Sequence, residues 1–512
     1  LKKLFIVLFV FIFISIGALY VVLFTKSGNY YLANYIERTI NNKQNDFILE
    51  IDELIINHNL LVFQASLNEK SKIEIKAIFS IFDQIADVEY KADIENLSIF
   101  NNLAQMDLNG DLKVFGEVKH QDKITTISGK SNIAKSKTEY EIILEDFLLN
   151  KVKVNILNAK IDDILAIVKQ PIYTSGNINL SSDLTYNSSK FFDGLVKIDI
   201  KNAKLNNKVI EQEFKQIIKQ DINYSLHMEN ILKDSLINSK ISFLSNLANI
   251  YTKKMIFDTK SFLLKSDYKL SVSDLSKLDD FTIIPLSGNI VLDGNIFKDN
   301  SSLKVDGFSD LIGGKFKLNL LNNDLNINID GANSRKLLNM INKNEFFDSK
   351  IDLDLKYNLI SSYGNLNAKI EDGHFVKTKL TQKIYDLSKI DITKEIYKEG
   401  ILKSEIKDDK LLSDFHIKAD KSIIDSKNGI MDFRKNEIDT KLNVNFNKIN
   451  FAILLSGNID NPDYKFDIKD ILKDTIKKNI NNEKIDKKIN RILEKNGVDE
   501  NKDVQNIIKY LF

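Results

Sequence analysis

Hydrophobic and polar side chains alternate along most of this chain. Ile351, Leu353, Leu355 and Tyr357 are separated by Asp352, Asp354 and Lys356; Leu325, Ile327 and Ile329 by Asn326 and Asn328; Leu442, Val444 and Phe446 by Asn443 and Asn445. Similar runs occur at 73–82, 152–156, 196–200 and 366–370. Successive side chains of an extended chain point to opposite faces, so a period of two gives each strand one apolar and one polar face. The pairs Asn109-Gly110, Asp293-Gly294, Asp306-Gly307, Asp330-Gly331 and Asp372-Gly373 are hairpin-type sequences. Together these patterns predict a mainly β protein, a long antiparallel meander with one dry face and one wet face.

Helical spacing interrupts the alternation. Phe214, Ile217, Ile218 and Ile222 predict a helix within 209–232, and short helices are expected at 335–341 and 381–387. From 468 to 512 the period changes altogether: Ile468, Ile471, Leu472, Ile476 and Ile480 mark one amphipathic helix, and Ile485, Ile489, Ile492 and Leu493 another. A weak repeat underlies the middle of the chain. Ser-Gly-Asn-Ile recurs at 175, 287 and 456, and the first two copies follow a strand, a short helical stretch and a proline (Pro171, Pro285). A degenerate copy runs from Ile327 through the 335–341 helix to Ile351. Repeated strand–helix–strand units suit a body that grows by stacking. The organisation expected is an anchor at 1–24, a β-rich region at 25–165, a repetitive β/helix region at 166–340, a second β region at 341–467 and a helical tail at 468–512.

The first segment differs from all others. Between Leu4 and Phe24 only Ser15 and Tyr20 carry a polar side-chain atom. A helix of that length reaches roughly 31 Å, enough to cross a bilayer core. A cleaved signal would have a shorter apolar run ending in a small-x-small site, whereas Gly17 and Ala18 sit in mid-run with bulky residues after them. The expectation is an uncleaved single-pass anchor with Lys2 and Lys3 on the cytoplasmic side and the remainder across the membrane.

Composition narrows the chemistry. With 72 basic and 71 acidic residues the net charge is +1, which argues against a nucleic-acid reader driven by bulk charge. The absence of cysteine excludes disulfides, thiolate catalysis and cysteine-based metal sites, and suits an oxidising compartment. His58, His120, His227, His374 and His416 show no metal-ligand spacing. Gly313-Gly314-Lys315 departs from a phosphate loop, with Ser309 in place of the first glycine and Phe316 in place of Ser or Thr. Asp162-Asp163, Asp279-Asp280 and Asp408-Asp409 lie near helix starts or turns, where carboxylates stay solvated. The sequence calls for no catalytic residue, metal or cofactor. What remains is the apolar face, either the core of β-sandwich domains or the lining of an open trough that holds acyl chains. Alternation fits both.

The order of the motifs resembles that of the AsmA-like superfamily of bacterial envelope proteins, which includes TamB-like members. Residues 25–40 (TKSGNYYLANYIERTI) are similar to the family's post-anchor turn and amphipathic helix. Segments 156–180 and 271–292 resemble its strand–short helix–Ser-Gly pattern. Segment 455–469 (LSGNIDNPDYKFDIK) resembles the closing strand of the AsmA-type sheet, and 507–512 (IIKYLF) its terminal motif. The resemblance implies an elongated, taco-like β-groove, anchored in the bacterial inner membrane with its body in the periplasm. It further implies that the groove carries phospholipid between envelope membranes, with a protein partner of the periplasm or outer membrane. On this reading the groove is lined by Ile351, Leu353, Leu355, Tyr357, Leu325, Ile327, Ile329, Leu442, Val444 and Phe446. The alternatives are an assembly factor for outer-membrane proteins that acts by strand addition, and a non-catalytic tether.

Overall fold

The computed structural model describes residues 21–80, 83–282, 284–388, 391–408, 410–446 and 449–467. The expected anchor, apart from its last four residues, and the expected helical tail lie outside them. Among the described residues no helix is long and apolar enough to cross a membrane. The chain divides into two units: Leu1–Val272 with Asn295–Ser301, and Ser273–Gly294 with Ser302–Phe512.

In the first unit, α1 (Lys26–Lys43) precedes β1 (Leu49–Ile56), β2 (Leu60–Leu67), β3 (Ser71–Ser80) and β4 (Ile85–Ile94). After helical turns at 97–104 come β5 (Leu112–Gln121), β6 (Ile124–Ser131), β7 (Lys137–Glu145) and β8 (Leu148–Lys160). Then α2 (Ile161–Ile167) leads to β9 (Thr174–Tyr186) and β10 (Phe192–Leu205), and α3 (Asn207–Phe214) to β11 (Asn223–Lys233), β12 (Leu236–Ser245), β13 (Asn249–Asp258) and β14 (Leu263–Val272). The division between the units falls within β15 (Ile290–Lys298).

The second unit continues with β16 (Leu303–Leu311), β17 (Gly314–Leu321), β18 (Asp324–Asn333), α4 (Ser334–Met340), β19 (Phe347–Asn358), β20 (Tyr363–Phe375) and α5 (Lys379–Ser388). It ends with β21 (Tyr397–Lys407), β22 (Lys410–Ala419), β23 (Ser422–Asp432), β24 (Glu437–Phe446), β25 (Ile449–Asn458) and β26 (Asp463–Asp467). The protein is thus mainly β, and within each unit the strands pair antiparallel with their chain neighbours. The sheet is open: among the described residues β1 pairs only with β2, and β26 only with β25. The edge at β1 is shielded by α1. Asn41 donates to Leu49 O (2.9 Å) and accepts from Leu49 N (2.8 Å), while Asn29 donates to Ile56 O (3.3 Å). Those side chains occupy backbone groups that an unprotected edge would offer to another chain.

Both units curl. In the second, Lys343, just before β19, donates to Asp460 Oδ1 (2.7 Å) in the turn before β26, and Asn344 donates to Asp460 O (2.7 Å). In a flat sheet β19 and β25, six strands apart, would be roughly 29 Å from each other. The contact therefore requires strong coiling, and so does the cluster that joins Phe347 of β19 to Val444 and Phe446 of β24 and Phe451 of β25. In the first unit Ile167 of α2, which follows β8, packs against a cluster built on Leu49, Ala65 and Leu67 of β1 and β2.

The structure corrects two sequence expectations. The helix expected within 209–232 ends at Phe214, because Lys215 turns left-handed (φ 58°) and its N–H closes on Glu211 O. Residues 215–222 leave the helix with Ile218 and Ile222 buried, and Tyr224, Leu226 and Met228 alternate along β11. None of the five Gly dipeptides forms a hairpin tip. Asp293-Gly294 and Asp306-Gly307 lie inside β15 and β16; Asp330-Gly331 and Asp372-Gly373 lie at bulges of β18 and β20; Asn109-Gly110 lies in the loop before β5. The tips use other left-handed residues, such as Asn68-Glu69 and Asp146-Phe147. The expected short helices at 335–341 and 381–387 are α4 and α5.

Three bulges share one pattern. Asn158-Ala159-Lys160, Asn202-Ala203-Lys204 and Gly331-Ala332-Asn333 each place a left-handed residue before a buried alanine, at a register shift, immediately upstream of a helix or its cap. An extra residue bends the strand, and at Ala203 the paired β9 comes so close that a Cβ on Gly176 would lie 2.8 Å from Ala203 Cα.

Candidate functional site

Cross-strand registry assembles the predicted lining residues of β18 and β19 into one face. Leu325 pairs with Tyr357, Ile327 with Leu355, Ile329 with Leu353, and Ala332 with Ile351. The face extends to Phe316, Leu318 and Leu320 on β17 and to Leu366 and Ile370 on β20. Ile351, Leu353, Leu355, Tyr357, Leu325 and Ile327 are half-buried there, whereas Ile329 is buried at 7% exposure. The β24 candidates lie on the same sheet face but in a different setting. Val444 and Phe446 are closed into the helix-capped cluster with Tyr397, Ile417 and Ile453, and Leu442 is half-buried against it. Ile384 of α5 belongs to that cluster.

At the centre of the cluster Tyr397 is fully buried, its ring edge-on to Phe375 (5.2 Å) and its hydroxyl accepting from Ser422 Oγ (3.0 Å). Burial pushes its phenol up to about 12. It therefore stays protonated at neutral pH and serves as a hydrogen-bonded core group.

Each unit also has small polar residues paired across neighbouring strands, a feature that alternation does not reveal. In the second unit Ser404 and Ser413 share a hydrogen bond (2.8 Å), as do Ser426 and Thr440 (2.7 Å). In the first unit Ser239 donates to Asn230 (2.6 Å). Small side chains leave room for the bend, and mutual hydrogen bonds satisfy them without water. Between β4 and β7 the first unit uses a different device. Tyr90 and Tyr140 lie over Gly116 and Gly129 with their hydroxyls 2.6 Å apart. A Cβ on Gly129 would stand 2.6 Å from each hydroxyl. Burial and the Tyr140 hydrogen bond push the Tyr90 phenol well above its ordinary range. Glycine inside an otherwise alternating strand was the available signal for this close approach.

The first unit also carries paired charges. A depression of about 650 Å³ over β5–β9 is lined by Glu117, Lys130, Glu139, Glu141, Lys153 and Asp183. Its charges are matched by Lys119–Glu117 (2.9 Å), Lys130–Glu139 (2.8 Å) and Lys151–Asp183 (3.0 Å). His227 and His416 sit beside Asp199 and Asp425 on neighbouring strands, and His120 beside Thr125. Among the described residues no group of three or more His, Asp or Glu is placed to hold a metal. Gly313 lies at the two-residue tip joining β16 to β17, with a strand after it where a phosphate loop would have a helix. Asp162 and Asp163 open α2, and Lys135 reaches Asp163 (3.0 Å).

Set against known proteins, the chain matches no protein-family model and no curated protein sequence. What points to function is therefore the apolar face itself.

Proposed function

We propose that this protein is a non-catalytic acyl-chain carrier, whose apolar sheet face forms a groove that holds or passes phospholipid between membranes of a bacterial envelope. One observation supports the reading above the others: the paired rows on β17–β20 are apolar and mostly half-buried, while the same face is tightly filled near α5. A face needed only as a core would be filled along its length. An acyl chain leaving water gains roughly 0.8 kcal/mol per buried CH2, so such a lining retains lipid with no reacting group. The resemblance to AsmA-like and TamB-like proteins, the apolar segment 4–24 and the lack of cysteine favour an inner-membrane anchor and a periplasmic body.

The test is photo-crosslinking from the full chain in membranes. A photoreactive side chain at Leu353 or Leu355 should give phospholipid adducts, and one at the outward Lys356 should not. The substitution Leu353→Asp should abolish adduct formation at Leu355, and Lys356→Asp should leave it intact. Asp352 is unsuitable as the outward control because its carboxylate accepts from Gly331 N (2.8 Å) at the β18 bulge. Equal labelling from both faces would refute the groove.

A further inference from the structure

The connections of the first unit separate its two rims. From β1 to β14, each odd-to-even connection whose residues are all described is a hairpin turn, whereas 97–104, α2 and α3 all lie between even and odd strands. Antiparallel pairing puts the first set at one end of the strands and the second set at the other. The ten residues of β5 set the rims roughly 34 Å apart.

The hairpin rim carries a file of exposed apolar side chains. Ile85 and Ile124 are 44% and 43% exposed, Phe147 and Leu148 71% and 73%, Leu236 41% and Phe262 61%. Neighbouring tips are bonded laterally, Asp146 N to Lys123 O (2.8 Å) and Thr259 N to Ser235 O (2.8 Å). The rim can therefore meet an apolar phase without presenting those amides unpaired. Exposure alone does not select this rim, because Leu103 (84%) and Phe214 (64%) are exposed on the other.

The path of the chain does select it. The apolar run 4–24 ends at Phe24, whose ring stacks on His58 at the β1–β2 tip (4.9 Å). Just after it, Asn29 bonds Ile56 O at the same end of β1. The bend between Val21 and α1 is tight enough that a Cβ on Gly28 would clash with Val21 O. The segment long enough to enter a bilayer thus ends at the hairpin rim, not at the helical rim.

We propose that the hairpin rim of the first unit is a membrane-docking edge, which seats Ile124, Phe147, Leu148 and Phe262 in the interface of the bilayer that the 4–24 segment enters. Isolated hydrophobic tips at separate turns suit a lipid surface better than a protein interface, whose buried centre is contiguous. This docking rests on the anchor reading of 4–24 and does not require lipid in the groove.

The chain contains no cysteine, so single-cysteine variants of the full chain can each carry one environment-sensitive fluorophore. The variants are Leu148→Cys and Phe262→Cys on the hairpin rim, and Leu103→Cys and Phe214→Cys on the helical rim, reconstituted in phosphatidylcholine–phosphatidylglycerol vesicles. Doxyl-labelled lipid should quench positions 148 and 262 severalfold more than 103 and 214. The same difference should persist in the Leu353→Asp background, which separates bilayer contact from lipid held in the groove. Equal quenching at the two rims, or its loss with Leu353→Asp, would overturn the proposal.

Discussion

Two stretches of one sheet face in the second unit have the same alternation and different fates. Near α5, Tyr397 and Ile417 are wholly buried and Ile453 is 1% exposed. On β17–β19, Leu318, Ile327 and Leu355 stay half-buried although they face one another across paired strands, and so does Leu353 opposite the buried Ile329. What separates them is the cover that the coiled strands and α5 supply at one end. The filled stretch is where burial stabilises the fold, and the half-filled stretch is where apolar surface remains for a ligand.

The largest expected effect is therefore an asymmetry in stability. Ile417→Ala should cost about 2–5 kcal/mol, as for other fully buried aliphatic truncations, whereas Leu353→Ala should cost about 1 kcal/mol because less of its surface leaves water. Urea denaturation of the chain in detergent measures both, and equal losses would mean that the β17–β19 face is an ordinary core.

Gly129→Ala comes next. The added Cβ must displace both tyrosine hydroxyls, at a cost of about 1–3 kcal/mol. The Tyr90 phenol should then titrate closer to its ordinary range in an ultraviolet pH titration; an unchanged titration would mean that the tyrosine pair does not depend on the glycines. Asn41→Ala should cost about 1–2 kcal/mol, because it strips the N–H and C=O of Leu49 of their partners. The Leu49 amide should then exchange faster with solvent than in the parent chain.

The smallest effect concerns the contact that records the curl. Lys343 and Asn436 hydrogen bonds hold the Asp460 carboxyl below its usual range. A depressed folded-state pKa means that the contribution is complete above the unfolded value of about 3.9 and is lost as pH falls through the folded value. Lys343→Met should weaken that acid-side dependence, and by little, since the Asp460 side chain is 42% exposed. Identical acid denaturation profiles of the two chains would remove the contact from the account of stability.

Much of this was legible beforehand. The faces of β18, β19 and β24 follow from strict alternation, and α4 and α5 from helical spacing. The departures have a common source, in that a tertiary contact overrides local propensity. Asp330-Gly331 and Asp372-Gly373 look like turns, yet the residues there provide a left-handed bulge and a bare backbone under a crowded bend. Ile217, Ile218 and Ile222 are spaced as on a helix, yet Lys215 ends it and Asn207 holds the following segment by donating to Ile218 O (3.0 Å) and Gln220 O (2.8 Å).

The sequence by itself determined that this is an antiparallel β protein with one apolar face, because alternation translates directly into side-chain direction. It also carried the apolar segment 4–24 and the lack of cysteine. Only the tertiary structure decided which part of the apolar face is filled, where the strands bend and at which rim the chain leaves. Those depend on coiling and on contacts such as Lys343 to Asp460, 117 residues apart, which no local pattern encodes.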